Sequence, residues 1–186
     1  MATAAVETRY KPEDLLARLD EGRFELLDGQ LVERNMGAES SFLASRLIRL
    51  MGAFTDPRRL GLIFQSECGY QVFQSDPGRV RYADGSFIAA GRLPDDKPPR
   101  GHCRVAPDVL IEAVSPNDVA GEVDQKVEEW LETGVRLVWV IYPDTKRLQI
   151  HRPNGTVTRL KPEDELTGEE VLPGFKCRVG EIFQGL

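Results

Sequence analysis

The sequence predicts an α/β fold in which a mixed β-sheet is flanked by helices. Three consecutive segments carry this prediction: an apolar strand at 109–114, an amphipathic helix at 117–133 and a second apolar strand at 137–142. Strand, helix and strand in this order form a βαβ unit, whose two strands lie parallel in one sheet. Two earlier strand-like segments, 62–74 and 79–89, are joined by a Ser-Asp-Pro-Gly turn signal, which predicts a hairpin. A sheet with both kinds of connection is mixed.

The length and composition are those of one ordinary globular domain. With 186 residues, of which 41% are hydrophobic and 29% charged, the chain is long enough to bury a sizeable core. We therefore expect a single domain over residues 1–186. The net charge of −6 at pH 7 argues mildly against an avid nucleic-acid binder, whose surface is usually basic. The local field at a site matters more than this total.

The sequence carries no signal for a membrane or an oxidising compartment. No segment approaches the roughly 18 apolar residues of a membrane-spanning helix. Residues 1–8 lack the basic and apolar segments of a signal peptide. The 3 cysteines are far apart, so neither a disulfide framework nor a Cys-x-x-Cys zinc site is expected. We expect a cytoplasmic protein with no membrane partner.

Turn residues and hydrophobic periodicity predict the remaining elements. A helix is expected after Pro12, a hairpin turns at Asp28-Gly29, and apolar residues at helical spacing indicate a long helix. The predicted bounds are 12–19 for the first helix, 24–33 for the hairpin, 38–54 for the long helix and 92–104 for a proline-rich loop. Two late strands follow at 147–151 and 156–160, and a last short helix ends near 183.

Three carboxylates on the predicted strands are the candidates for chemistry. Asp108 and Glu112 interrupt the central apolar strand, and alternation puts them on one face with Cα atoms about 13 Å apart. A carboxylate in so apolar a segment is costly unless a cation meets it. Asp84 begins the preceding strand, so all three acids can converge on one Mg²⁺ or Mn²⁺ ion if the two strands are neighbours. Glu67 is a further candidate, and the alternative for it is an ordinary exposed position.

One lysine is a candidate partner for these acids. Lys126 shares an apolar stripe with Val123 and Trp130, on a helix that is otherwise rich in acids. Its ammonium can reach Asp108 or Glu112 across the junction between strand and helix. The alternatives are a structural salt bridge or a side chain that extends past Trp130 to water.

Short motifs recur in order along nearly the whole chain. They are Arg23-Phe24-Glu25-Leu26-Leu27-Asp28-Gly29, Ala83-Asp84 with Phe87, Pro107-Asp108, Glu112-Ala113-Val114-Ser115-Pro116, Lys126, Trp130, Gly134-Val135, Trp139 and Leu172-Pro173-Gly174-Phe175. Together they resemble the Uma2 family, also called DUF820, of proposed endonucleases with the PD-(D/E)XK nuclease fold. The chain departs from the family at Tyr142, where many members have aspartate.

The resemblance implies a restriction-endonuclease-like fold and a metal-dependent phosphodiesterase site. By the family pattern Asp84, Asp108 and Glu112 are the metal ligands, Mg²⁺ or Mn²⁺ is the cofactor, and a metal-activated water attacks the phosphodiester. The lysine of the parent motif would stand at Val114, so Lys126 is expected to replace it and to stabilise negative charge. We expect Asp84 and Asp108 to be the firmer ligands, with Glu112 and Lys126 around the nucleophile.

The resemblance implies nucleic acid as the partner, with DNA favoured. A homodimer or higher homo-oligomer is expected, because a nuclease that cuts two strands profits from two sites.

Two other functions are compatible with the same residues. One is a catalytically silent binding module in which the acids and Lys126 form a structural ion-pair network. The other is a two-carboxylate hydrolase of the glycosidase kind, which needs no lysine.

Overall fold

The computed structural model describes residues 9–18, 20–34, 37–116 and 118–186. Its helices are α1 (Pro12–Leu16), α2 (Ala38–Thr55), α3 (Ala120–Glu132) and α4 (Val179–Ile182), with 3₁₀ turns at Asp56–Arg58 and Pro94–Asp96. Its strands are β1 (Phe24–Leu27), β2 (Gln30–Glu33), β3 (Gly61–Gln65), β4 (Gly69–Tyr70), β5 (Arg81–Tyr82), β6 (Gly85–Ala89), β7 (Val109–Ala113), β8 (Leu137–Tyr142), β9 (Arg147–His151), β10 (Val157–Leu160), β11 (Glu165–Thr167) and β12 (Lys176–Arg178).

The central sheet is mixed and has six strands in the order β10-β9-β8-β7-β6-β3. Strands β7 and β8 are parallel and are joined through α3, whereas the other neighbouring pairs are antiparallel. The predicted βαβ unit and the predicted fold class are therefore confirmed. β7 lies in the interior of the sheet, and its five residues are buried, which explains why all of them except Glu112 are apolar.

Each face of the sheet is covered by a helix with an apolar stripe. On one face α2 buries Leu43, Leu47 and Met51 against the odd-numbered side chains of β7 and β8. The C-terminal elements β11, β12 and α4 complete this layer. On the other face α3 buries Val127 and Trp130 against the even-numbered side chains. Any polar side chain that points from β7 toward α3 is therefore enclosed between sheet and helix.

The long hairpin that the sequence predicts at 62–89 is interrupted in both of its arms. β3 pairs with β6 in the central sheet, while β4 and β5 form a separate two-stranded sheet. The chain leaves regular strand geometry at Asp84, between β5 and β6, because Tyr82 belongs to the small sheet and Gly85 to the large one. This break places Asp84 immediately before the first residue of β6, at the end of an interior strand of the central sheet.

The first hairpin forms as predicted. β1 and β2 pair with Leu27 opposite Gln30, and both turn residues, Asp28 and Gly29, have positive φ angles of 52° and 80°. A two-residue turn with both angles positive matches the right-handed twist of the strands. Reciprocal backbone hydrogen bonds between Leu26 and Val80 attach β1 to the segment before β5.

Some sequence predictions extend beyond the described residues. The signal-peptide expectation rests on residues 1–8, the predicted first helix includes Leu19, and the predicted third helix begins at Asn117; all lie outside the described ranges. Within the described chain, α3 starts at Ala120, later than expected, because the Asp118 carboxylate accepts a hydrogen bond from the Ser115 N–H at 2.7 Å and holds a turn before the helix. None of the helices in the described ranges has the length and apolarity needed to cross a bilayer.

Candidate active site

A cavity of about 450 Å³ opens at the carboxyl end of β7. Its walls are the β1–β2 hairpin, the residues that follow β7 and the first half of α3. Asp84, Glu112 and Lys126 all line it. Three of the four predicted site residues therefore share one cavity.

Asp84 lies just before β6, close to the end of β7 that carries Glu112. The paired register ends with Gly85 opposite Ile111, and the Asp84 N–H donates to the same Ile111 carbonyl at 3.1 Å, so hydrogen bonding extends one residue beyond β6 although the regular pairing does not. Both carboxylates line the cavity. The Ala113 N–H donates to Asp84 Oδ2 at 2.8 Å and fixes this carboxylate across the strand end.

Glu112 points toward α3 and is held there by two donors. Lys126 Nζ lies 2.9 Å from Oε2, and Trp130 Nε1 donates to Oε1 at 3.1 Å. Lys126 and Trp130 are four residues apart on α3, so both reach the same carboxylate. The Lys126 side chain is 27% exposed and opens to the cavity, whereas Glu112 is buried.

The charges of the cavity are strongly coupled. Burial raises the pKa of Glu112 to about 7, with Lys126 opposing the rise and Asp84 adding to it. Burial likewise raises the pKa of Asp84, against the Lys126 charge and the hydrogen bond from Ala113. Burial alone would lower the pKa of Lys126, but the carboxylates of Glu112, Glu25 and Asp84 outweigh that effect and raise it. Lys126 is therefore a cation at neutral pH.

Glu25 is a buried acid of this cavity that the sequence reasoning missed as a site residue. Its Oε1 accepts from the Tyr82 N–H at 3.0 Å, and its Oε2 accepts from Arg81 Nη1 at 2.8 Å. Arg81 also contacts Glu129 of α3 at 2.8 Å, so it ties the hairpin to the helix across the cavity. The sequence does contain a signal for Glu25: it is an acid between the apolar residues Phe24 and Leu26, and an acid in an apolar segment is the pattern that identified Asp108 and Glu112 as candidates.

Asp108, the fourth predicted site residue, does not line the cavity. β7 pairs with β8 in continuous register from Val109 to Ala113, without a bulge to shorten it. Asp108 and Glu112 therefore stay about 13 Å apart in Cα position. Asp108 lies at the opposite end of the strand, where its Oδ2 accepts from the Ala89 N–H and from Arg92, each at 2.8 Å.

Arg136 approaches the same carboxylate, at 3.7 Å from Asp108 Oδ1. Two arginines therefore supply the positive charge that a buried aspartate needs at this position.

Glu67 also lies apart from the cavity: its side chain is 64% exposed and pairs with Arg23 at 3.6 Å.

The donors in the cavity are suited to a hard divalent cation that is shared with a ligand. In the described ranges, no three His, Cys, Asp or Glu side chains are grouped so as to hold a metal ion by themselves. Mg²⁺ is usually held by one or two carboxylates, with water and substrate phosphate completing its shell. Asp84 and Glu112 supply such a pair, and six acids against three basic residues line the cavity. The chemistry of the donor set therefore fits Mg²⁺ or Mn²⁺.

The mixed sheet, its flanking helices and the acidic cavity at a strand end belong to the class of restriction-endonuclease-like folds. A crystal structure of a putative nuclease belonging to DUF820 from Anabaena variabilis has this fold: it superimposes with a TM-score of 0.71 over 88% of this chain and 90% of that chain, at 19% sequence identity. The family model Uma2, described as "Putative restriction endonuclease", matches residues 12–180. The chain belongs to the Uma2 family. No curated protein matches the sequence significantly.

Proposed function

We propose that this protein is a metal-dependent endonuclease that hydrolyses phosphodiester bonds of nucleic acid, with DNA as the favoured substrate. The observation that carries the proposal is the meeting of Asp84, Glu112 and Lys126 in one cavity, in a chain of the Uma2 family. Two carboxylates and a cation held between sheet and helix suit phosphoryl chemistry, because a phosphodiester brings negative charge and its hydrolysis needs an activated water.

Asp84 and Glu112 would hold the Mg²⁺ or Mn²⁺ ion. When bound, such an ion supplies Lewis-acid chemistry, lowering the pKa of water and offsetting phosphate charge. The Ala113 N–H keeps Asp84 in place through its bond to Oδ2. Trp130 holds Glu112 through Oε1. Each carboxylate oxygen has two lone pairs, so these bonds orient both acids while leaving acceptor sites open.

Lys126 would stabilise negative charge on the phosphate and on the attacking oxygen. It remains protonated at neutral pH, and its ammonium is anchored to Glu112 on one side while the side chain opens to the cavity. An ammonium carries three donors, so the bond to Glu112 leaves others for a ligand. Arg81 and Glu25 frame the cavity on the hairpin side.

The proposal is tested by cleavage of plasmid and oligonucleotide substrates with Mg²⁺ or Mn²⁺. Wild type is compared with Glu112→Gln and Lys126→Met. The matched controls are Glu165→Gln and Lys176→Met, because Glu165 and Lys176 form an exposed ion pair at 3.6 Å away from the cavity. Loss of cleavage in the first pair and not in the second supports the assignment. Equal activity in all five proteins refutes it.

One observation favours a second candidate function, a non-catalytic module with a structural ion-pair network. Both oxygens of Glu112 already accept hydrogen bonds, from Lys126 and Trp130. Calorimetric titration with Mn²⁺ separates the two functions. A nuclease site binds the ion and loses it in Glu112→Gln, whereas a structural network binds none.

A homodimer or higher homo-oligomer remains part of the proposal, because cutting both strands of a duplex requires two sites or two events. Light scattering on the purified full chain measures the mass directly. A monomeric mass at working concentrations removes this part and leaves the proposed chemistry unaffected.

A further inference from the structure

A second cavity of about 130 Å³ lies beside the first. The two cavities share Val114 and Ser115, which form the ridge between them. A ligand that spans this ridge occupies both. The second cavity has less than a third of the volume of the first, so it suits a single ring system better than a length of nucleotide chain.

The sheet topology explains why the second cavity is there. β7 and β8 run parallel and end together: the Val114 N–H donates to the Ile141 carbonyl at 2.9 Å, so Val114 and Tyr142 leave the sheet side by side. Ligand sites in open α/β sheets form outside the carboxyl ends of parallel strands. Both cavities open at this edge.

The second cavity is lined by one aromatic residue and two prolines. Tyr142 is half-buried and also packs against the core on the α3 side. Pro116 and Pro143 add rigid apolar surface to the lining. An aromatic residue next to such surface is suited to contact with a nucleobase, whose faces are apolar.

The polar wall is negatively charged. Glu39, in the first turn of α2, and Asp144, after β8, are both exposed and line the cavity. Two carboxylates repel a phosphate. They accept hydrogen bonds from the exocyclic amino group of a base, as Glu and Asp do from cytosine N4. Thymine and uracil have no such donor.

We propose that the second cavity is a subsite for a nucleobase that carries an exocyclic amino group, next to the phosphodiester in the first cavity. Tyr142 stacks on the base, and Glu39 and Asp144 accept from its amino group. The inference rests on the proposed endonuclease function, because the ridge of Val114 and Ser115 connects the subsite to that phosphodiester. It predicts that this chain prefers substrates with adenine, cytosine or guanine at the adjacent position.

The test measures binding of fluorescein-labelled oligodeoxycytidylate and oligothymidylate of about twelve nucleotides, within the usual range of single-strand site sizes. Fluorescence anisotropy is recorded on the full chain with Ca²⁺, which takes oxygen ligands as Mg²⁺ does. Wild type is expected to bind the cytidylate about fivefold or more tightly than the thymidylate. Tyr142→Leu weakens cytidylate binding by about 5-fold to 150-fold, whereas Tyr142→Phe retains it.

Two further variants make the result specific. Phe42→Leu removes a 38% exposed aromatic ring that lines neither cavity and is expected to change nothing. Asp144→Asn, at an exposed position where folding is unaffected, is expected to reduce the preference for cytidylate. Circular dichroism and thermal unfolding check that Tyr142→Leu is folded.

The outcomes separate this inference from the proposed function. Unchanged cytidylate binding in Tyr142→Leu, equal wild-type affinity for both oligonucleotides, or no wild-type binding overturns the subsite. Cleavage by wild type together with an unaltered KM in Tyr142→Leu likewise overturns the subsite and leaves the nuclease proposal standing. The expected binding pattern without any cleavage under Mg²⁺ or Mn²⁺ supports the subsite and removes the nuclease proposal.

Discussion

Lys126 Nζ lies 2.9 Å from Glu112 Oε2, although the two residues are 14 positions apart in the chain. The contact exists because β7 ends next to the start of α3 and the helix returns along the sheet with Lys126 on its inner face. Trp130, one turn later, donates to the other oxygen of the same carboxylate. A strand and the helix that follows it are thus enough to build the charged centre of the cavity.

Replacement of Lys126 by methionine is expected to abolish cleavage while leaving the fold intact. The change removes a positive charge that would stabilise the transition state, a loss of about 10²–10³ in kcat for one such donor. It also leaves Glu112 without its ion pair, so the carboxylate is expected to take up a proton. Single-turnover cleavage rates and urea unfolding measure the two effects. A variant that cleaves at the wild-type rate contradicts the role given to Lys126.

Mn²⁺ affinity is expected to rise with pH up to about 7 and then to level off. Burial raises the pKa of Glu112 to about 7, and the ion binds only the deprotonated carboxylate. Below that pH, each unit of acidification therefore costs about tenfold in affinity. Calorimetric titration between about pH 5.5 and 8 measures the profile. A wild-type affinity that stays constant across this pH range would contradict the role given to Glu112.

Substitution of Asp108 by asparagine is expected to lower stability and to leave Mn²⁺ binding unchanged. Asp108 is buried and neutralised by Arg92 and Arg136, far from the cavity. Loss of its charged hydrogen bonds is expected to reduce the free energy of unfolding by about 1–3 kcal/mol. Urea denaturation and calorimetry check the two parts. Loss of metal affinity in the folded variant would return Asp108 to the site.

Replacement of Trp130 by phenylalanine is expected to weaken Mn²⁺ binding about 10- to 100-fold, as for other groups that orient a metal ligand. The change keeps an aromatic ring in the core but removes the Nε1–H that holds Glu112. The matched control is Trp139→Phe, since Trp139 is also buried and its Nε1 has no hydrogen-bond partner in the described chain. Equal loss of affinity in the two variants would point to packing rather than to the hydrogen bond.

The parts of the site that lie close in the chain could be predicted from the sequence. Glu112 and Lys126 belong to one strand–helix unit, so hydrophobic periodicity was sufficient to put them on facing surfaces. Periodicity alone did not decide whether Asp108 lines the same cavity: alternation puts it on the same face as Glu112, and a regular strand keeps the two about 13 Å apart. Which end of β7 carries the cavity depends on residues outside the strand.

The parts that come from distant segments required the tertiary structure. Glu25 meets Arg81 at 2.8 Å across 56 positions of sequence, and this contact depends on how the first hairpin packs against β5. Tyr142 lines the second cavity because β8 ends beside β7. Neither relationship leaves a local pattern, since each is set by the packing of elements that are remote in the chain.

The sequence by itself determined the mixed sheet, the helices on its two faces and the place of Lys126 on an apolar helix stripe within reach of the strand carboxylates, because short-range periodicity and burial govern these features. Only the tertiary structure decided that Asp84 lines the same cavity as Glu112, that Lys126 pairs with Glu112, that Asp108 pairs with two arginines at the other end of the strand, and that two cavities share one ridge. The physical reason is that strand register and end-to-end distance bring carboxylates together or keep them apart, and both are properties of the assembled sheet.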